Sequence, residues 1–132
     1  MTLDKRGCRV LTGKWICPLT GRVITNPRLL DIDHRVSLKE AHISGGWKWS
    51  KEKKQAFAND LSDPNHLEAV YRGANRSKGA KDPANWMPKN KYYYCLYLTE
   101  WSIIKVKWGL LMDEAENAFV AKYMLSHCEE KK

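Results

Sequence analysis

The segment Leu30-Asp31-Ile32-Asp33-His34-Arg35-Val36 constrains this chain more than any other. Apolar residues fall at 30, 32 and 36, which reads as a short strand ending near His34. A carboxylate beside an imidazole at a strand end supplies a hard oxygen ligand and a base that titrates near neutrality. A regular strand points neighbours to opposite faces. Asp33 and His34 can therefore serve one site only where the strand ends, twists or bulges, and His34 is placed at its edge.

Other segments follow from local signals. Residues 8–17 read CRVLTGKWIC, and Thr12-Gly13 suits a tight hairpin turn. PLTG at 18–21 and Asn26-Pro27 mark further turns. Residues 39–64 are long for a connection, so an insertion with structure of its own is expected. Within it, Ser50 before KEKKQAFANDL predicts an N-capped helix. His66 to Tyr71 reads as a second short strand, and GANRSKGA at 73–80 as a short helix flanked by glycines. Tyr94, Tyr97, Leu98, Trp101, Ile104 and Trp108 recur at helical steps, with Gly109 at the stop. Asp113 with Glu116 forms a capping-box start to a last helix, ending near His127. The aromatic residues of this tail are read as core.

With 132 residues the chain is about one domain and can bury a real core. Hydrophobic residues make up 43% and charged residues 29%, the balance of a globular protein. No apolar run approaches the ~18 residues of a membrane span, so no membrane partner is expected. The start, MTLDKRGC, has no apolar h-region, and no secretory signal is expected within it. The net charge of +8 is uneven. Residues 35–91 hold twelve basic and six acidic residues, whereas residues 92–132 hold five and six. A basic middle suits a polyanion, with nucleic acid as the default partner and plain solubility as the alternative.

The second half of the pattern is Asn65-His66-Leu67-Glu68-Ala69-Val70, then Asn75-Arg76-Ser77-Lys78-Gly79. A strand with Asp-His, a connection, an Asn, a strand and Asn-Arg-x-Lys in a helix resembles the ββα-metal fold of HNH endonucleases, in the His-Asn-Asn variant. The longer pieces LDIDHxVxLxxAHxSGGWxWS, FANDL and NxLxAVYRGANRSKGAKxPxxWMP, with the tail residues Cys95, Trp101, Lys105 and Cys128, resemble small bacterial HNH nucleases related to the C-terminal domain of GmrSD-type restriction enzymes. The likeness runs from about Cys8 to Cys128. It implies an α+β fold in one domain over 1–132: an HNH core at about 8–90 with a helical insertion, then a C-terminal helical hairpin at about 91–128.

The resemblance also implies roles. His34 is the general base, and Asn65 fixes the loop and orients it. Asp33 and Asn75 hold one divalent cation, Mg²⁺ first and Mn²⁺ or others as alternatives, with Asp31 just behind them. The substrate is double-stranded DNA, cut to 5′-phosphate and 3′-hydroxyl ends. The chemistry agrees: phosphodiester hydrolysis needs an activated water and charge neutralisation, and neutral imidazole is a competent base at pH 7. Where such nucleases often carry Val-Pro, this chain has Val36-Ser37. A non-catalytic nucleic-acid-binding module and a nuclease acting mainly on RNA are the alternatives. Arg35, Lys39, Arg72, Arg76, Lys78 and Lys81 surround the two halves and are expected to grip phosphates, Lys78 above all because it lies one helical turn after Asn75. His42 and His66 are not expected to be ligands.

Cys8, Cys17, Cys95 and Cys128 lack the paired spacing of a zinc site. If Thr12-Gly13 is a two-residue turn, Cys8 faces Cys17 in a non-hydrogen-bonded pair, close enough to bridge; a bulged turn would shift that register. The two C-terminal helices have nearly equal length, and folded antiparallel they bring Cys95 level with Cys128. Bridges would place the protein in an oxidising compartment, secreted or periplasmic; four reduced thiols would suit the cytoplasm.

Overall fold

The computed structural model describes residues 1–128. Three two-stranded antiparallel sheets and five α-helices make a mixed α/β protein. The strands are β1 (Thr2–Leu3), β2 (Val10–Thr12), β3 (Trp15–Ile16), β4 (Val23–Ile24), β5 (Leu30–His34) and β6 (Leu67–Tyr71). The helices are α1 (Leu38–Ile43), α2 (Lys51–Ala58), α3 (Arg72–Lys78), α4 (Tyr94–Lys107) and α5 (Glu114–His127).

The N-terminal segment departs from the sequence expectation. β2 turns back onto β1 and β3 pairs with β4, so Thr12-Gly13 is a corner between two hairpins. Gly13 serves a close approach there: a Cβ on it would lie 2.5 Å from the Trp15 ring. Its N–H donates to Thr25 O instead of closing a turn. The working turns are Asp4–Gly7, where the Asp4 carboxylate accepts from the N–H groups of Cys8 and Arg9, and the PLTG segment. The expected Cys8–Cys17 bridge is therefore corrected. Cys8 is an exposed free thiol, and Cys17 is a buried one whose Sγ accepts from the Tyr71 N–H at 3.3 Å.

β5 and β6 pair without a break, from Leu30 opposite Tyr71 to His34 opposite Leu67, and β6 runs straight into α3. Alternation along β5 turns Asp31 and Asp33 towards α3. The 39–64 segment does carry its own helices. Ser37 caps α1 by accepting from the Glu40 N–H, and Ser50 caps α2 by accepting from the Lys53 N–H.

The tail forms the helical pair expected. Asp113 and Glu116 make a full capping box at the start of α5, and Gly109 adopts φ +65° after α4. A disulfide joins Cys95 to Cys128, with Cα atoms 5.6 Å apart. α4 is the centre of the core: Tyr97, Leu98, Trp101 and Ile104 are fully buried and join a cluster with Leu19, Val36, Phe57 and Val70. Its one buried cation, Lys105, bonds Glu40 of α1 at 3.0 Å and Glu116 of α5 at 2.7 Å, tying the insertion and the tail to one helix.

Candidate functional site

The α3 side of β5 holds two neighbouring constellations. In the first, Asn75 donates through Nδ2 to Asp31 Oδ2 at 3.1 Å, and Arg76 Nε lies 3.5 Å from the same oxygen. Both Asp31 and Asn75 are half-buried, whereas Arg76 is exposed. In the second, Asp33 is buried and its Oδ1 accepts from Lys78 Nζ at 2.8 Å. The other oxygen, Oδ2, is buried with no hydrogen-bond partner among the described residues. Asn75 and Lys78 reach the strand together because residues three apart share a helix face.

Lys78 is fully buried. Its ammonium also donates to the carbonyls of His34 at 2.7 Å and Arg35 at 2.9 Å, so it pins the backbone as β5 ends. Burial lowers its pKa, against the pull of Asp33. Arg35 is likewise fully buried, bonded to Glu68 and to the Tyr93 hydroxyl, with Glu100 at 3.2 Å. Burial raises the carboxyls of Glu68 and Glu100 above the usual range. These placements correct two expectations: Arg35 and Lys78 are internal struts and cannot grip phosphates. Lys39, Arg72, Arg76 and Lys81 are exposed.

His34 leaves β5 on the opposite side. Its Nε2 meets the Ala58 carbonyl oxygen at 2.9 Å. A carbonyl only accepts, so Nε2 carries a proton, and in the neutral ring the free lone pair is on Nδ1. The neighbouring ring is His66, which is fully buried, and its Nε2 donates to Phe57 O at 2.6 Å. Two histidines thus hold consecutive carbonyls at the end of α2. Burial lowers the His66 pKa. Asn65 does not orient His34 in this structure. Its backbone N–H donates to Asp63 Oδ1 at 2.9 Å, and the orienting partner is Ala58 O.

Asn75 is therefore brought to Asp31, Asp33 to Lys78 and His34 to the end of α2. The Ala58 carbonyl and the His66 clamp went unread in the sequence, because a backbone acceptor has no residue signature. The i, i+3 relation of Asn75 and Lys78 places both on one face of α3, but that face meets β5, so Lys78 is buried on Asp33 and does not face a phosphate.

The site thus offers carboxylate and amide oxygens and an imidazole whose Nε2 is tied to a carbonyl, with the exposed Arg76 beside Asp31. The chain belongs to the family of GmrSD restriction endonucleases, C-terminal domain, which it matches over residues 4–123. It is also similar to an "Uncharacterized secreted protein" of Arthroderma benhamiae, at 36% identity over 121 residues. That alignment covers 92% of this chain and 58% of the relative, so the chain spans less than two-thirds of the relative's length. No solved structure matches the chain. Among the described residues, no helix is long and apolar enough to cross a membrane.

Proposed function

We propose that this protein is a divalent-metal-dependent HNH endonuclease that hydrolyses phosphodiester bonds, in DNA first, and works outside the reducing cytoplasm. The observation that carries the reading is His34: its Nε2 is tied to Ala58 O, so Nδ1 is left as a base, one residue from a buried carboxylate with a free oxygen. Membership of a restriction-endonuclease family supports the same reaction class. The Cys95–Cys128 bridge and the name of the secreted relative support the compartment.

The residues suit a hard cation. Asp31 and Asp33 of β5 and Asn75 of α3 offer oxygen donors between the strand and the helix, and Asp33 Oδ2 is buried without a partner among the described residues. Asp33 and Asn75 would hold the ion, with Asp31 bracing Asn75 through their hydrogen bond. When bound, such a cation neutralises charge developing on the phosphate and the leaving oxygen. His34 takes the proton of the attacking water at Nδ1 and keeps its orientation through Nε2. Lys78 holds the Asp33 carboxylate in place and fixes the end of β5. Asp33 and His34 leave the strand on opposite sides, so the phosphate has to sit at the strand's end, where both can reach it. Arg72, Arg76, Lys39 and Lys81 would neutralise flanking phosphates.

Plasmid DNA incubated with the protein and Mg²⁺ should become nicked or linear, and EDTA should abolish this. Cleavage unaffected by EDTA would remove the metal. Cleavage of RNA with DNA left intact would move the reading to a ribonuclease.

A further inference from the structure

A cavity of about 440 Å³ opens on the other face of α3, between the β3–β4 turn, the end of β6 and the loop before α4. That is a usual size for a small-molecule pocket. Its walls include Arg22, Tyr71, Gly73, Ser77, Trp86 and Lys89, and among the described residues no carboxylate lines it. Arg22 lies over the Tyr71 ring, 4.3 Å from the centroid. Trp86 is fixed from two sides: Nε1 donates to Ser77 Oγ at 3.1 Å, and the ring meets Tyr97 with centroids 6.0 Å apart. Gly73 lets Tyr71 close against the helix, since a Cβ there would lie 2.5 Å from that ring.

We propose that this cavity is a nucleotide subsite that takes one unstacked nucleotide of the substrate strand. The proposal rests on the nuclease reading above. A free anion would need the two cations but not two aromatic walls, and an apolar ligand the reverse. A nucleotide needs both: a base stacks on aromatic or guanidinium planes, and its phosphate pairs with the cations. The position fits a strand that also reaches the candidate site. Residues 73, 74 and 77 line the cavity, while Asn75 points from the opposite face of α3 to Asp31. A helix is about 10 Å across. An unstacked strand spans more than the ~3.4 Å per nucleotide of a stacked one, so that separation is at most about three nucleotides. The occupant must leave its stack, so single-stranded or frayed nucleic acid is the favoured substrate form.

The test uses the full chain labelled with ¹⁵N, titrated with thymidine 5′-monophosphate while NMR follows the Trp86 indole N–H. The nucleotide should move that resonance saturably and inorganic phosphate should not. Lys89→Ala, at an exposed position, should weaken the nucleotide's binding roughly tenfold, as loss of a charged contact does. An unmoved Trp86 resonance would overturn the proposal. An equal response to phosphate would reduce the cavity to a plain anion site and overturn it too. In the His34→Ala background, Lys89→Ala should weaken binding of a single-stranded-tailed duplex more than of a blunt one. Equal losses would make Lys89 a general phosphate contact, against the subsite. Failure of the nuclease reading would show separately, as no Mg²⁺-dependent cleavage by wild type with the nucleotide shift intact.

Discussion

At the scale of single residues, the two histidines at the end of α2 have different jobs. His34 has a fixed tautomer and a free Nδ1, so His34→Ala should lower turnover by at least ~10²-fold, the low end for a general base, while nucleic-acid binding persists. Near-normal cleavage by that variant would take His34 out of the mechanism. His66 is buried, and burial lowers its pKa below the ordinary ~6.5. Below that pH the unfolded chain binds a proton that the folded chain refuses. The stability His66 contributes is thus complete above about pH 6.5 and is lost as pH falls through the folded-state value. His66→Gln keeps an N–H for Phe57 O and does not titrate. Denaturant midpoints at pH 5 and pH 7.5 should therefore lie closer together in the variant than in wild type, and an unchanged gap would refute the assignment. The comparison with wild type cancels the buried carboxyls Glu40, Glu68 and Glu100, whose raised pKa values act in the opposite direction.

At the scale of elements, the α4–α5 pair is a scaffold. Its disulfide closes a separation of 33 residues, and its inner face supplies Tyr97, Trp101 and Ile104 to the core. Cys95→Ser should cost ~2–4 kcal/mol and lower the melting temperature by several degrees. Activity per folded molecule should stay near wild type. Two free thiols at these positions in oxidised material, read by mass spectrometry without reduction, would show that the bridge does not form. α2 is the other element with a consequence at distance. Its last carbonyls are the acceptors for His34 and His66, so the insertion between β5 and β6 sets the orientation of a residue on β5.

At the scale of the whole molecule, the net charge of +8 is divided between surface and interior. Arg35, Lys78 and Lys105 are buried and paired with carboxylates. On the proposed function, nucleic-acid binding would therefore draw on exposed residues such as Lys39, Arg72, Arg76 and Lys81. Affinity for DNA should fall linearly with salt on a log–log plot, and Arg72→Ala should reduce the slope by about 0.9 if that guanidinium neutralises one phosphate. Fluorescence anisotropy across a salt series measures this, and an unchanged slope would remove Arg72 from the interface.

Elements whose determinants are local could be read from the chain. β5 shows in the alternation around Asp31 and Asp33, α2 in Ser50, and α5 in Asp113 and Glu116, because a cap or a period needs only neighbouring residues. The Cys95–Cys128 bridge was legible for the same reason: two helices of equal length and a short turn fix which ends meet. What each polar side chain faces depends on long-range packing. Arg35 and Lys78 look like surface cations in sequence, and only the approach of Glu68, Glu100 and Asp33 makes them buried struts. Cys8 and Cys17 lie on opposite sides of a corner because Gly13 makes room for Trp15 instead of closing a turn. The donor that braces Asp31, the carbonyl that orients His34 and the cavity behind α3 were likewise decided by tertiary structure, since each joins groups from elements far apart along the chain.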